Sequence, residues 1–299
     1  MTIYSQISSN KQKTFLIFAL FVVILTGFFY MIGLYYGDAN GYLVLGLIIS
    51  SFSSVFSYYF SDRIVLFSVG AVPADKRTHF DFYTAGENMA IAAGIPCPKL
   101  YVIRDSAPNA FATGRDPKHA VVCATEGLLA MMNRAELEGV IAHELSHIKN
   151  YDMLVMTVVS VLVGTISLVA DWILRSMWWG GRGRDNDRDG NRNPLMFALL
   201  LIALVIAPLT ATLIQLAISR RREYLADADG ALLTRRPEGL ASALEKIAGY
   251  PRGMQSATTA TAHLFISSPF KKNKKGDWFV NLFSTHPPVE ERIRLLREM

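Results

Sequence analysis

The chain has 299 residues, enough for one or two domains, and 51% of them are hydrophobic while only 18% are charged. Soluble domains carry about 25% charge, so this balance excludes an ordinary soluble fold and points to the membrane. The net charge of +5 is mild and lacks basic–aromatic interleaving, so it reads as charge flanking a lipid bilayer, with no nucleic-acid partner expected.

Lys11 and Lys13 precede an uncharged run from Thr14 to Tyr36. At about 1.5 Å per residue, that run can cross a hydrocarbon core of about 30 Å. It is too long for the apolar part of a cleaved signal peptide, and no small-residue cleavage site follows. A short acidic turn leads to a second, serine-rich run, Tyr42–Phe60. The lysines before the first run, with Arg63, Lys76 and Arg77 after the second, place both ends in the cytoplasm. Residues 1–61 thus read as an N-terminal transmembrane hairpin.

Residues 62–152 are mixed and charged, as in a soluble fold. An amphipathic helix is expected over Phe80–Ala93, stopped by Gly94. Three short strands follow, at Lys99–Ile103, Asn109–Thr113 and His119–Ala124, separated by turn-rich segments. Cys97 and Cys123 have no CxxC or zinc-finger spacing and read as buried thiols in a reducing compartment.

The next segment, Asn133–Asn150, reads as a helix, with Asn133 as N-cap and Glu136 placed to close a capping box. Leu137, Ile141, Leu145 and Ile148 make its buried stripe. His143 and His147 lie one above the other on another face, with Glu144 between that face and the stripe. Two imidazoles at i and i+4 can reach one zinc ion, and the adjacent carboxylate can act on water beside it. The bland alternative is a solvated helix that happens to carry two histidines.

Met153–Leu174 and Leu195–Ile218 are two more apolar runs, the latter broken by Pro208. Between them, residues 175–193 form a Gly/Arg/Asp-rich loop with five Arg against three Asp, which fits poorly with translocation. Two crossings or an embedded hairpin both return the chain to the side it left, so 153–218 reads as a second membrane hairpin of either kind. Residues 219–299 then complete the domain begun at 62. Helices are expected at Arg220–Leu233, Pro237–Ala248 and Pro288–Glu298, with Arg252–Phe283 a surface loop able to act as a flap.

A catalytic zinc takes three protein ligands and keeps one open position. The third ligand expected is Glu223, which shares a helix face with Asp227 at i+4. One carboxylate can ligate while the other accepts the outward N–H of a ligating histidine. A plain surface glutamate is the competing reading of Glu223.

His143-Glu-Leu-Ser-His147 followed, after a membrane hairpin, by Arg222-Glu-Tyr-Leu-Ala-Asp-Ala-Asp-Gly230 resembles the HtpX family of bacterial membrane zinc metalloproteases, relatives of the eukaryotic CAAX prenyl endopeptidases. The resemblance also takes in the two N-terminal runs, Asn109–Gly114 and His286-Pro-Pro288, and so covers nearly the whole chain. It implies a mostly α membrane protein: four apolar membrane helices plus a cytoplasmic α+β zincin-type domain with a small sheet. It implies one zinc ion on His143, His147 and Glu223, Glu144 as general base, and Asp227 supporting a ligand. Asn109 would lie on a sheet edge that pairs with extended substrate, though a turn asparagine fits as well. His286 would donate to the developing oxyanion or be structural. The implied activity is endopeptidase action on misfolded or damaged membrane proteins under stress, in the bacterial inner membrane. The competing class is a non-catalytic zinc-binding scaffold, which would need a fourth protein ligand and no Glu144. Substrate preference and oligomeric state are not legible.

Overall fold

A computed structural model of the protein describes residues 3–180, 220–270 and 287–299. The fourth apolar run, most of the Gly/Arg/Asp-rich loop, and His286 lie outside the described residues.

Two long helices open the chain, α1 (Ile3–Tyr36) and α2 (Ala39–Ser68). Among the described residues these two contain the segments long and apolar enough to cross a membrane, Ile7–Leu34 and Ala39–Ser68. The second helix outruns the expected Tyr42–Phe60 at both ends. Asp38 caps its start by accepting the Gly41 N–H at 2.9 Å, and Asp62 and Arg63 do not break it. The serines that weaken its hydropathy have a packing role: Gly46, Ser50, Ser54, Ser57, Ser61 and Val65 form one buried stripe. Small residues let helices approach closely in an apolar setting. A Cβ on Gly46 would meet Phe29 at 2.6 Å, so this contact requires glycine.

A four-stranded sheet follows. Its strands are β1 (Val72–Pro73), β2 (Lys99–Ile103), β3 (Ala110–Thr113) and β4 (Val121–Thr125), in the order β1-β2-β4-β3. The β2–β4 pair is parallel and the other two are antiparallel, so β3 is an edge strand. The last strand starts later than the expected His119–Ala124. Asp116 accepts the Lys118 and His119 N–H groups and Pro117 opens a 3-10 turn, Pro117–His119, which postpones the extended backbone to Val121.

Helix α3 (Phe80–Ala93) occupies its expected span and stops on Gly94 at φ 68°. Two elements escape the sequence pattern: β1, and the single-turn α4 (Glu126–Met131), which Thr125 caps by accepting the Leu128 N–H. Helix α5 (Arg134–Lys149) runs through the middle of the domain. Asn133 accepts the Glu136 N–H at 3.0 Å while Glu136 accepts the Asn133 N–H at 2.8 Å, so the capping box is complete. The apolar stripe of α5 joins Phe82, Leu100, Val122, Leu240 and Leu244 in the main core.

Helix α6 (Asp152–Gly180) meets α5 at a bend of 83° and stays helical through residues 175–180, expected as loop. No Gly or Pro interrupts Arg175–Trp179, so nothing stops it earlier. Its first half is buried by protein: Val155, Val158, Val159 and Leu162 pack on Ile17, Phe21 and Leu25 of α1. Helices α7 (Arg220–Thr234), α8 (Pro237–Gly249) and α9 (Val289–Arg297) complete the domain.

Two further expectations need correction. The segment from Arg252 is no surface flap in its described part: Met254, Ala262, His263, Leu264, Phe265 and Ile266 are all buried. Phe265 meets Phe111 edge-on at 5.0 Å, and Asp105 accepts the backbone N–H groups of Gln255 and Ser256. These apolar anchors are hidden in a Ser/Thr/Ala-rich composition. Of the two free cysteines, Cys123 is buried as expected but Cys97, in the turn after α3, is exposed.

Candidate active site

The i, i+4 spacing on α5 brings the His143 and His147 Nε2 atoms to 3.2 Å. Helix α7 crosses beside them. A Cβ on Gly230 would lie 3.1 Å from the His143 backbone nitrogen, so glycine keeps the helices close enough for Glu223 to reach across. Its Oε2 is 3.8 Å from His143 Nε2 and its Oε1 3.6 Å from His147 Nε2. All three side chains are buried, and their ligand atoms lie within 4.8 Å of one another.

Both imidazoles face a carboxylate on the other ring nitrogen. His143 Nδ1 is 3.0 Å from Asp227 Oδ1, set off the ideal hydrogen-bond angle, and His147 Nδ1 is 3.1 Å from Asp152 Oδ2. A carboxylate there selects the tautomer protonated at Nδ1 and turns the Nε2 lone pair inward. With both rings neutral, two lone pairs and a carboxylate converge in a buried space, an arrangement that repels itself unless a cation holds it together. A tetrahedral ion with bonds of about 2.0–2.1 Å spaces its ligands about 3.3–3.4 Å apart. The residues present fit such an ion.

The electrostatics divide the two histidines. Burial alone would depress His147, but Asp152, Glu223 and Glu144 outweigh it and lift the imidazole to about 9, so without a metal ion this ring holds a second proton that a ligated cation would displace. Burial depresses His143, which keeps its ring neutral as a ligand must be. Glu144 is buried beside the pair. Desolvation pushes its carboxyl up to about 7, opposed by His147 and by a hydrogen bond from the Ala112 N–H on edge strand β3. Beside a divalent cation the same carboxyl drops back toward the ionised form that a general base needs.

Two further groups support the site. Arg292 of α9 is 2% exposed and grips Asp227 with two bonds of 2.7 Å, while its third nitrogen donates to the Ile266 carbonyl at 3.0 Å. Burial would raise the Asp227 pKa, but the Arg292 pair and His143 hold it well below the usual carboxylate range. The second group is Asp152, whose other oxygen accepts Asn10 Nδ2 at 2.7 Å and lies 3.3 Å from Arg222 Nη1. Asn10 belongs to α1 and also donates to the Asn150 carbonyl at 2.9 Å. One faint signal for Asp152 existed: a lone acid opening an apolar helix just after the histidines. Arg292 offered none.

Asn109 sits at the head of β3, buried, with its side chain bonded to Ser267 O at 3.0 Å and to Ala110 N at 3.1 Å. The Ile266 N–H already occupies the outward carbonyl of Ala110 at 2.9 Å. His286 falls outside the described residues. Among the other histidines, His263 is buried and bonds the Met156 carbonyl at 3.0 Å.

Removing the carboxylate behind a ligating histidine weakens metal binding about 10–100-fold. Asp152→Ala is expected to do so here, read as zinc affinity against a chromogenic chelator. Affinity within two-fold of the parent would show that Asp152 does not support His147.

Residues 80–299 match the model of peptidase family M48. A protein named Protease HtpX homolog from Caldanaerobacter subterraneus is 49% identical over 301 residues, covering 100% of this chain and 98% of that one. One of the same name from Tropheryma whipplei is 46% identical over 99% of this chain and 98% of its own. Another, from Pyrococcus furiosus, is 46% identical over 96% and 95%. The crystal structure of S. mikatae Ste24p aligns with 98% of this chain and 67% of its own at 18% identity and a TM-score of 0.48, too distant to argue from.

Proposed function

The chain belongs to peptidase family M48, among the HtpX proteases, and is a metalloprotease; from that premise we propose that it is a zinc-dependent endopeptidase that cleaves misfolded or damaged membrane proteins at the bilayer surface. The observation that carries this reading is the convergence of His143 Nε2, His147 Nε2 and the Glu223 carboxylate, with Glu144 alongside.

In this reading His143, His147 and Glu223 hold one zinc ion per chain. When bound, zinc supplies Lewis acidity, which lowers the pKa of water and polarises the scissile carbonyl. Glu144 takes the proton of the attacking water and returns it to the leaving amine nitrogen. Asp227 and Asp152 fix the two imidazoles from behind, and Arg292 keeps Asp227 ionised. An extended polypeptide would add to the β3 edge beyond the Ala110 carbonyl that Ile266 occupies, with Asn109 holding the start of that edge through Ser267. His286 would donate to the developing oxyanion or be structural, a role that rests on the family resemblance. The protein sits in the bacterial inner membrane with the protease domain in the cytoplasm, a reading supported by Lys11, Lys13 and Arg63 flanking the first two spans.

The test uses full-length protein in detergent and an unfolded substrate such as casein. Cleavage is expected to stop with a chelator and return with zinc. Glu223→Ala is expected to lose stoichiometric zinc together with activity. Cleavage indifferent to chelation, or full zinc content in Glu223→Ala, would overturn the zinc assignment.

A further inference from the structure

We propose that the groove beside the polar end of α1 binds an anionic phospholipid, its phosphate held by Lys11, Arg115 and Lys118 and its acyl chains lying along Phe15 and Phe18. The groove encloses about 780 Å³ between α1, the α5–α6 turn and the β3–β4 connection. It draws on the reading of α1 as a membrane span and is independent of the catalytic assignment.

Three observations converge. Lys11, Phe15 and Phe18 follow one another at i, i+4 and i+7, so a single face of α1 passes from a cation to two aromatic rings. Phe15 is 76% exposed, so this face is left to lipid, and it runs without a break into the groove. The Lys11 ammonium stands 4.8 Å over the Tyr151 ring, which fixes its height at the groove wall.

Across the groove the β3–β4 connection contributes Arg115 and Lys118. The acid between them, Asp116, is already engaged: it accepts the Lys118 N–H at 2.9 Å and the His119 N–H at 3.0 Å, and meets His119 Nδ1 at 2.8 Å. Arg115 Nε stands 3.5 Å from that carboxylate and its guanidinium 5.6 Å from the Tyr59 ring. Among the described residues Lys11 and Lys118 have no ion-pair partner. The result is a concave surface with unbalanced positive charge at one end and aromatic, bilayer-facing surface at the other. Soluble phosphate would satisfy the cations and leave the rings unmatched. A neutral lipid would do the reverse. An anionic phospholipid matches both ends.

The test is native mass spectrometry of the full-length protein released from detergent with phosphatidylglycerol or phosphatidylcholine. Preferential retention of phosphatidylglycerol is expected. A basic side chain near an anionic lipid surface is worth about a five-fold change in binding, so Lys11→Gln with Lys118→Gln should weaken retention roughly 25-fold. Lys76→Gln, a cation paired with Glu87 elsewhere on the surface, should change nothing. A phosphatidylglycerol carrying a photoreactive acyl chain should label α1 around Phe15 and Phe18 in the unmodified protein, which tests the site even if the double variant folds poorly. Equal retention of both lipids, unchanged retention in the double variant, or labelling elsewhere would overturn the proposal. Quantitative displacement by millimolar inorganic phosphate would instead assign the cations to a soluble anion.

Discussion

Glu144→Gln is expected to lower peptide hydrolysis by roughly 10²–10⁴-fold, the usual contribution of a positioned general base. The change keeps the shape of the side chain and its hydrogen bond from Ala112, so metal content should stay at the parent level. The pairing of lost turnover with retained metal is what separates a base from a ligand. Turnover measured on an unfolded polypeptide, beside zinc content by atomic absorption, gives both numbers. Activity within ten-fold of the parent would remove Glu144 from the chemistry.

Arg292→Met is expected to have the largest effect on stability. The guanidinium is buried and makes two 2.7 Å bonds to an equally buried Asp227. Removing one partner of such a pair leaves the other as an uncompensated buried charge, at a cost of about 3–5 kcal/mol. For a chain of this size, about 2–4 °C is lost per kcal/mol, so the thermal inactivation midpoint should fall by about 10 °C. Adding Asp227→Asn in the Arg292→Met background removes the orphaned charge and should recover part of that loss. A midpoint unmoved by Arg292→Met would show the pair to be dispensable.

What the sequence conveys is local, and where the structure departs the cause is distant. Phe80–Ala93 was readable because its period and Gly94 stop lie within a few turns, and the α5 cap because Asn133 and Glu136 are three residues apart. The family resemblance is borne out on the same kind of signal, the motif around His143 and that around Glu223. Asn10 and Asp152 stand 142 positions apart and Asp227 and Arg292 stand 65 apart. No periodicity links such pairs. Segment 252–270 misled for another reason: a few anchors, Phe265 and Ile266 above all, bury it while its average composition stays polar. The length of α2 was underestimated because serine lowers hydropathy whether it faces water or a neighbouring helix.

The amide of Asn10 has a wider consequence. It belongs to the first of the two helices long and apolar enough to cross a membrane, yet it holds the carboxylate that faces His147. Anchor and enzyme are therefore not separable modules. A version trimmed to begin after α2 would retain both histidines and Glu223 but lose the hand that steadies one of them. Any tilt or slide of α1 that follows a change in membrane thickness would be carried, through one side chain, to within two hydrogen bonds of His147.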